Sequence, residues 1–189
     1  MASGGGAAGK IIRIAIDFLK KVRKRAHGHT PTTVPHPSTP HLGLPHNAPP
    51  GLGPLRPPAR TLLDNEGLPL TRAQGLQSRT EGMFENVTQG THGDAATKYL
   101  WTVDHRGVNV ALEQTPFPTP RGNIVHTNLS SEASIGGEAW FGPNNSVTIN
   151  AGSGRFGDGA GITPGQWDAA ASYWRQLGYD VNPIPFGQR

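Results

Sequence analysis

Hydrophobic positions follow three different rhythms along the chain. Between residues 9 and 26 the period is helical. Ile11, Ile14, Ala15, Phe18, Leu19 and Val22 fall at i, i+3, i+4, i+7, i+8 and i+11 and make one apolar stripe, widened by Ile12 and Ile16. Lys10, Arg13, Lys20, Lys21, Arg23, Lys24 and Arg25 crowd the rest of the surface, mostly toward the C-terminal end, where they suit the helix dipole. The pattern predicts a basic amphipathic helix after a flexible Gly/Ala/Ser start at residues 1–8. Its apolar stripe is suited to packing on a larger parent protein, with an anionic membrane as the other surface it could cover.

From Ala96 the rhythm changes to alternation. KYLWTVDHRGVNVALEQ reads as two strands, 98–103 and 108–113, around a turn at Asp104-His105-Arg106-Gly107. TPFPTPRG (115–122) is a Pro-fixed loop, and NIVHTNL (123–129), ASIGGEAWF (133–141) and SVTINAG (146–152) are three further strand candidates. Gly136-Gly137 inside a strand suggests a bulge or a close backbone approach by a ligand. Thr163 as N-cap, Pro164 as first helical residue and Gln166 as capping partner open a helix over 164–177 that buries Trp167, Ala170, Ala171, Trp174 and Leu177. Gly178 stops it, and YDVNPIPF supplies a last strand. The expected fold is α+β: a small antiparallel sheet of about four to five strands packed against a C-terminal helix, over residues 97–189.

The middle of the chain has no rhythm. Residues 27–60 hold ten prolines, from Pro31 to Pro58, and no acid, so a disordered spacer is expected there. His27, His29, His36, His41 and His46 lie in it at irregular spacings that do not suit a metal site. Residues 61–96 scatter Leu62, Leu63, Leu68, Leu70, Leu76, Met83 and Phe84 among polar residues, and should form an irregular lead-in with a short helix or two.

Composition narrows the chemistry. The 189 residues include no Cys, which excludes a disulfide framework, Cys-ligated zinc and a thiol nucleophile. No apolar run approaches the ~18 residues that cross a bilayer, and no conventional secretory signal is expected at the start. The formal net charge of +4 is unevenly divided. Residues 1–60 carry nine Lys/Arg against Asp17, a net of +8, and residues 61–189 carry eight against twelve acids, a net of −4. The basic character therefore belongs to the N-terminal part, and any nucleic-acid contact of the folded part should be local.

Polar groups inside apolar strands mark the candidate site. If the strands pair in sequence order, His126, Glu138, Ser153 and Arg155 face one cleft. That set supplies the parts for moving a proton from a ribose hydroxyl and holding a phosphate, with no metal and no cofactor. In it His126 is general base or acid, Glu138 its partner, Arg155 a phosphate clamp and Ser153 a hydrogen-bond donor. His105, Arg106, Thr127 and Asn150 form a second tier. The structural alternative pairs Glu138 with Arg155 and buries His126 in the core. Glu113 with Arg121 suggests a surface ion pair, and Asp158 a weak cation ligand.

His126-Thr127-Asn128-Leu129, Gly136-Gly137-Glu138 and Ser153-Gly154-Arg155-Phe156 together resemble the H-[ST]-x-L … [AG]-G-E … S-G-[HR]-[YF] pattern of C-terminal toxin domains in bacterial polymorphic toxins of the Rhs and contact-dependent-inhibition kind. Many such domains belong to the barnase/EndoU/colicin/RelE-like ribonuclease superfamily. The resemblance implies a metal-independent ribonuclease acting on RNA and released from a parent secreted polypeptide. It also implies delivery into the cytoplasm of a target bacterium and neutralisation by a cognate immunity protein. The family pattern often has His or Tyr where this chain has Arg155 and Phe156, so one proton-transfer group is either missing or supplied by His105. An ADP-ribosyltransferase toxin using NAD and a non-catalytic interaction domain of a large secreted protein are the other two classes compatible with these residues.

Overall fold

The alternating stretches become a six-stranded sheet in the computed structural model, which describes residues 43–189. The basic helix and the histidines up to His41 lie outside the described residues. The strands are β1 (Gln77–Arg79), β2 (Tyr99–Asp104), β3 (Gly107–Leu112), β4 (Ile135–Phe141), β5 (Ser146–Asn150) and β6 (Asp180–Pro183). Two helices accompany them, α1 (His126–Leu129) and α2 (Pro164–Gln176). The α+β class holds, with strand order β1-β3-β2-β4-β5-β6. The sheet is larger than expected, and it is not wholly antiparallel, because β6 runs parallel to β5. A parallel neighbour needs a crossover, and α2 provides it.

Strand pairing departs from sequence order. β2, not β3, lies beside β4, with Leu100 opposite Glu138 and Trp101 opposite Gly137. The β2–β3 hairpin turns through His105-Arg106, with Gly107 at φ 98°, a conformation that glycine adopts without steric cost. Alternate residues then sort by face. Trp101, Val103, Val108, Val110, Ala139, Phe141, Val147 and Ile149 pack with Trp167, Tyr173 and Trp174 in the main core under α2. Trp174 meets Trp101 edge-on at 5.9 Å between ring centroids, a favoured aromatic geometry. Leu100 and Ala111 face the other way and pack with Leu70, Leu76, Phe117, Ile124 and Leu129. Glu138, opposite Leu100, shares that second face.

The capping chemistry of α2 is as the sequence indicates. Thr163 Oγ1 accepts from Gln166 N at 3.2 Å, and Gln166 Oε1 accepts from Thr163 N at 3.0 Å. The expectation of a strand over 123–129 is overturned. His126–Leu129 is a single helical turn, and Val125 N donates to Asn128 Oδ1 at 2.8 Å. The β-branched run favours a strand locally, but Asn128 decides the backbone. Its Nδ2 donates to the carbonyls of Asn65, Glu66 and Leu68 at 3.1, 3.2 and 2.8 Å. Asn128→Ala leaves the Glu66 and Leu68 carbonyls without this donor, while Asn65 O keeps the Leu68 N–H, and should cost about 1–3 kcal/mol of stability in a denaturant melt.

Two further expectations change. Gly136-Gly137 forms no bulge, since the β2–β4 register runs unbroken from Tyr99↔Ala139 to Val103↔Ile135. What demands glycine is close backbone approach by the chain itself. A Cβ on Gly137 would lie 1.8 Å from Asn150 O, and one on Gly136 would lie 2.9 Å from Trp101 O. The described part of the proline-rich stretch, residues 43–60, is no spacer. Leu52 is fully buried in the main core, and Arg56 and Ala133 exchange backbone hydrogen bonds at 3.1 and 3.0 Å. One well-placed leucine and a strand-like bridge are enough to dock a segment whose composition alone reads as solvated.

Candidate functional site

The second face of the sheet carries a cleft of about 500 Å³. His126, Glu138, Glu113 and Leu100 form part of its wall, and Arg60, Arg121, Arg155 and Arg189 also line it. Three of these positions, Leu100, Glu113 and Glu138, follow from the alternation of β2, β3 and β4. His126 comes from the first residue of α1, and Arg155 from the loop after β5.

His126 is half-buried, and its Nε2 lies 2.8 Å from Gly137 O. A carbonyl oxygen only accepts, so Nε2 carries the hydrogen and Nδ1 of the neutral ring holds a lone pair. Nδ1 has no hydrogen-bond partner among the described residues. Burial holds the imidazole below its ordinary pKa of 6.5. The Gly137 hydrogen bond and the charges of Glu138 and Glu113 pull the other way without overcoming that effect. At neutral pH the ring is therefore uncharged and basic.

Glu138 is held at both oxygens. Oε1 accepts from Lys98 Nζ at 3.0 Å and Oε2 from Asn150 Nδ2 at 2.9 Å. Asn150 Oδ1 also accepts from the backbone N of Glu138 at 3.0 Å and of Gly152 at 2.9 Å. Asn150, a second-tier candidate, thus positions the carboxylate. Lys98 further pairs with Glu113 Oε2 at 2.8 Å. Burial works against the ammonium, but the two carboxylates outweigh it and raise the pKa above the ordinary 10.5. The anticipated Glu113–Arg121 pair is not formed, because Glu113 turns to Lys98. Nor is a Glu138–Arg155 pair.

Arg155 pairs instead with Glu66, which is 6% exposed, and its Nη1 donates to Thr61 O at 2.9 Å. Both terminal nitrogens of its fork already donate to the chain, so its role as a phosphate clamp rests on the N–H groups left over. Ser153 is 1% exposed, and its Oγ accepts from the backbone N of Arg155 at 3.3 Å and of Phe156 at 3.2 Å. It shapes the turn that presents Arg155. His105 is exposed at the hairpin tip and does not line the cleft. Arg106 is bound by Asp104 at 2.7 Å and by Leu129 O, which ties the hairpin tip to the end of α1. Thr127 is buried with its Oγ1 unpartnered. Asp158 pairs with Arg189 at 3.3 Å. Among the described residues no three His, Asp or Glu side chains are grouped as metal ligands.

Sequence reasoning brought His126, Glu138 and Arg155 to one cleft and missed Lys98, Glu66 and Asn128. Lys98 lies on the same face of its strand as Leu100, and that parity is the one signal that pointed to it. Comparison with protein-family models, with curated proteins and with solved structures finds no match.

Proposed function

We propose that this domain is a ribonuclease that cleaves RNA through attack of its own 2′-hydroxyl, in the setting of an antibacterial toxin. The observation that carries the reaction is His126: a neutral imidazole with a free Nδ1 on the wall of an arginine-rimmed cleft. Nδ1 takes the proton from the 2′-oxygen as that oxygen attacks phosphorus. The bond to the 5′-oxygen breaks, leaving a 2′,3′-cyclic phosphate; the departing oxygen takes a proton from a water molecule, and the hydroxide left is neutralised by the proton that Nδ1 then releases. Glu138 and Glu113 stabilise the imidazolium formed, and the arginines oppose the charge that builds on the phosphate. Glu138 here acts through its charge and does not itself carry the proton.

Residues 43–189 hold ten Lys/Arg and twelve acids, a net of −2, so RNA binding depends on the cleft arginines rather than on overall charge. The toxin setting rests on the motif resemblance: a parent secreted polypeptide, entry into a target bacterium and an immunity protein that covers the cleft. Among the described residues no helix is long and apolar enough to cross a membrane.

Incubating the full chain with total RNA, with and without EDTA and with and without NAD, tests the reaction. Cleavage that ignores EDTA and leaves cyclic phosphate ends is expected, and NAD consumption without RNA cleavage would overturn it. Because burial depresses the His126 pKa, the rate should rise with pH through a midpoint below 6.5 and be flat across neutrality. Glu138→Gln removes a negative charge that favours the imidazolium, so the rising limb should move to lower pH.

A further inference from the structure

Lys98 stands immediately before β2, directly opposite Glu113, whose backbone N donates to Lys98 O at 2.9 Å. Its ammonium bridges Glu113 at 2.8 Å and Glu138 at 3.0 Å, and all three side chains are about four-fifths shielded from solvent. Like charges on two neighbouring carboxylates repel unless a cation lies between them. The groups that act on His126 from the surrounding elements are Lys98 beside β2, Glu113 beyond β3 and Glu138 on β4, and the cleft arginines and Glu66 line the same wall. One ammonium against two carboxylates leaves a single net negative charge beside the imidazole.

We infer that Lys98 is a positioning residue: by bridging Glu113 and Glu138 it sets the charge that His126 experiences and keeps Nδ1 free to accept a proton. The inference rests on the reading of His126 as the proton acceptor of the cleft. Without the ammonium the net charge becomes −2. The released carboxylate then favours the imidazolium, so the ring becomes available as a base only at higher pH.

The test is an NMR titration of the His126 ring in the full chain, for the unaltered protein, Lys98→Met and Lys98→Arg. Lys98→Met should raise the midpoint and shift the rising limb of the pH–rate profile to higher pH with it. Lys98→Arg keeps the charge and should restore both. Lys98→Met with Glu113→Gln returns the net charge to −1 and should bring the midpoint back. If the single variant does not fold, the double variant should still titrate above Glu113→Gln alone, whose net charge is 0, because the two differ only in the Lys98 charge; coinciding midpoints would overturn the inference. A purely structural Lys98 predicts a lower melting temperature with the His126 midpoint unmoved, and that result overturns the inference. The titration does not depend on turnover. An unaltered protein that leaves RNA intact, with the Lys98→Met midpoint shifted as expected, would overturn the ribonuclease reading and leave the charge-setting role of Lys98 standing.

Discussion

His126→Gln should lower RNA cleavage by about 10²–10⁴-fold, the loss typical of a removed general base. The glutamine amide can still donate to Gly137 O, but it offers no lone pair basic enough to take a proton from a hydroxyl. The first turn of α1 should survive, because Asn128 and not His126 anchors it to residues 65–68. Rate and melting temperature measured on one sample separate the two effects. A folded variant that cleaves at the unaltered rate would remove His126 from the reaction.

A chain beginning at Thr61 should melt far below the full-length protein. Deletion removes Leu52, which is 0% exposed, together with its carbonyl, which accepts from Gln166 Nε2 on α2 at 2.9 Å. It also removes Arg56, whose backbone pairs with Ala133. Leu52→Ala alone should cost about 2–5 kcal/mol through lost burial and the cavity left behind. For a domain of this size that is a drop of roughly 4–20 °C in melting temperature. A truncated protein that melts with the full chain would show that residues 43–60 contribute nothing to the core.

The parts of the fold written in short-range signals were legible. The β2–β3 hairpin follows from alternation around a glycine-closed turn, and α2 from Thr163-Pro164-Gly165-Gln166. Residues 123–129 were misread because strand preference is a local average, whereas Asn128 answers to carbonyls more than 55 positions away in the chain, 60 to 63 by separation. Residues 43–60 were misread because proline content records what the chain cannot hydrogen-bond, not whether one leucine finds a hole in the core.

The site divided along the same line. His126 and Glu138 were visible as polar residues in apolar runs. The partner of Glu138 was not, because Lys98 is 40 residues away and reaches it only through the β2–β4 pairing that skips β3. Arg155 was found, but Glu66, 89 positions distant, was invisible without the loop that Asn128 gathers.

The acceptor that fixes the His126 ring is a main-chain oxygen, that of Gly137. Where a carboxylate side chain orients a histidine, a single substitution can delete it. Here the tautomer is written into the backbone of β4, where changes to neighbouring side chains leave it in place. The protection has one opening. Position 137 must stay glycine, since any Cβ there collides with Asn150 O. Core packing already constrains Ile135, Ala139 and Phe141, but the tautomer itself depends on a residue that bears no chemistry of its own. A saturation scan of 135–141 scored for folded protein should find its deepest minimum at that silent position.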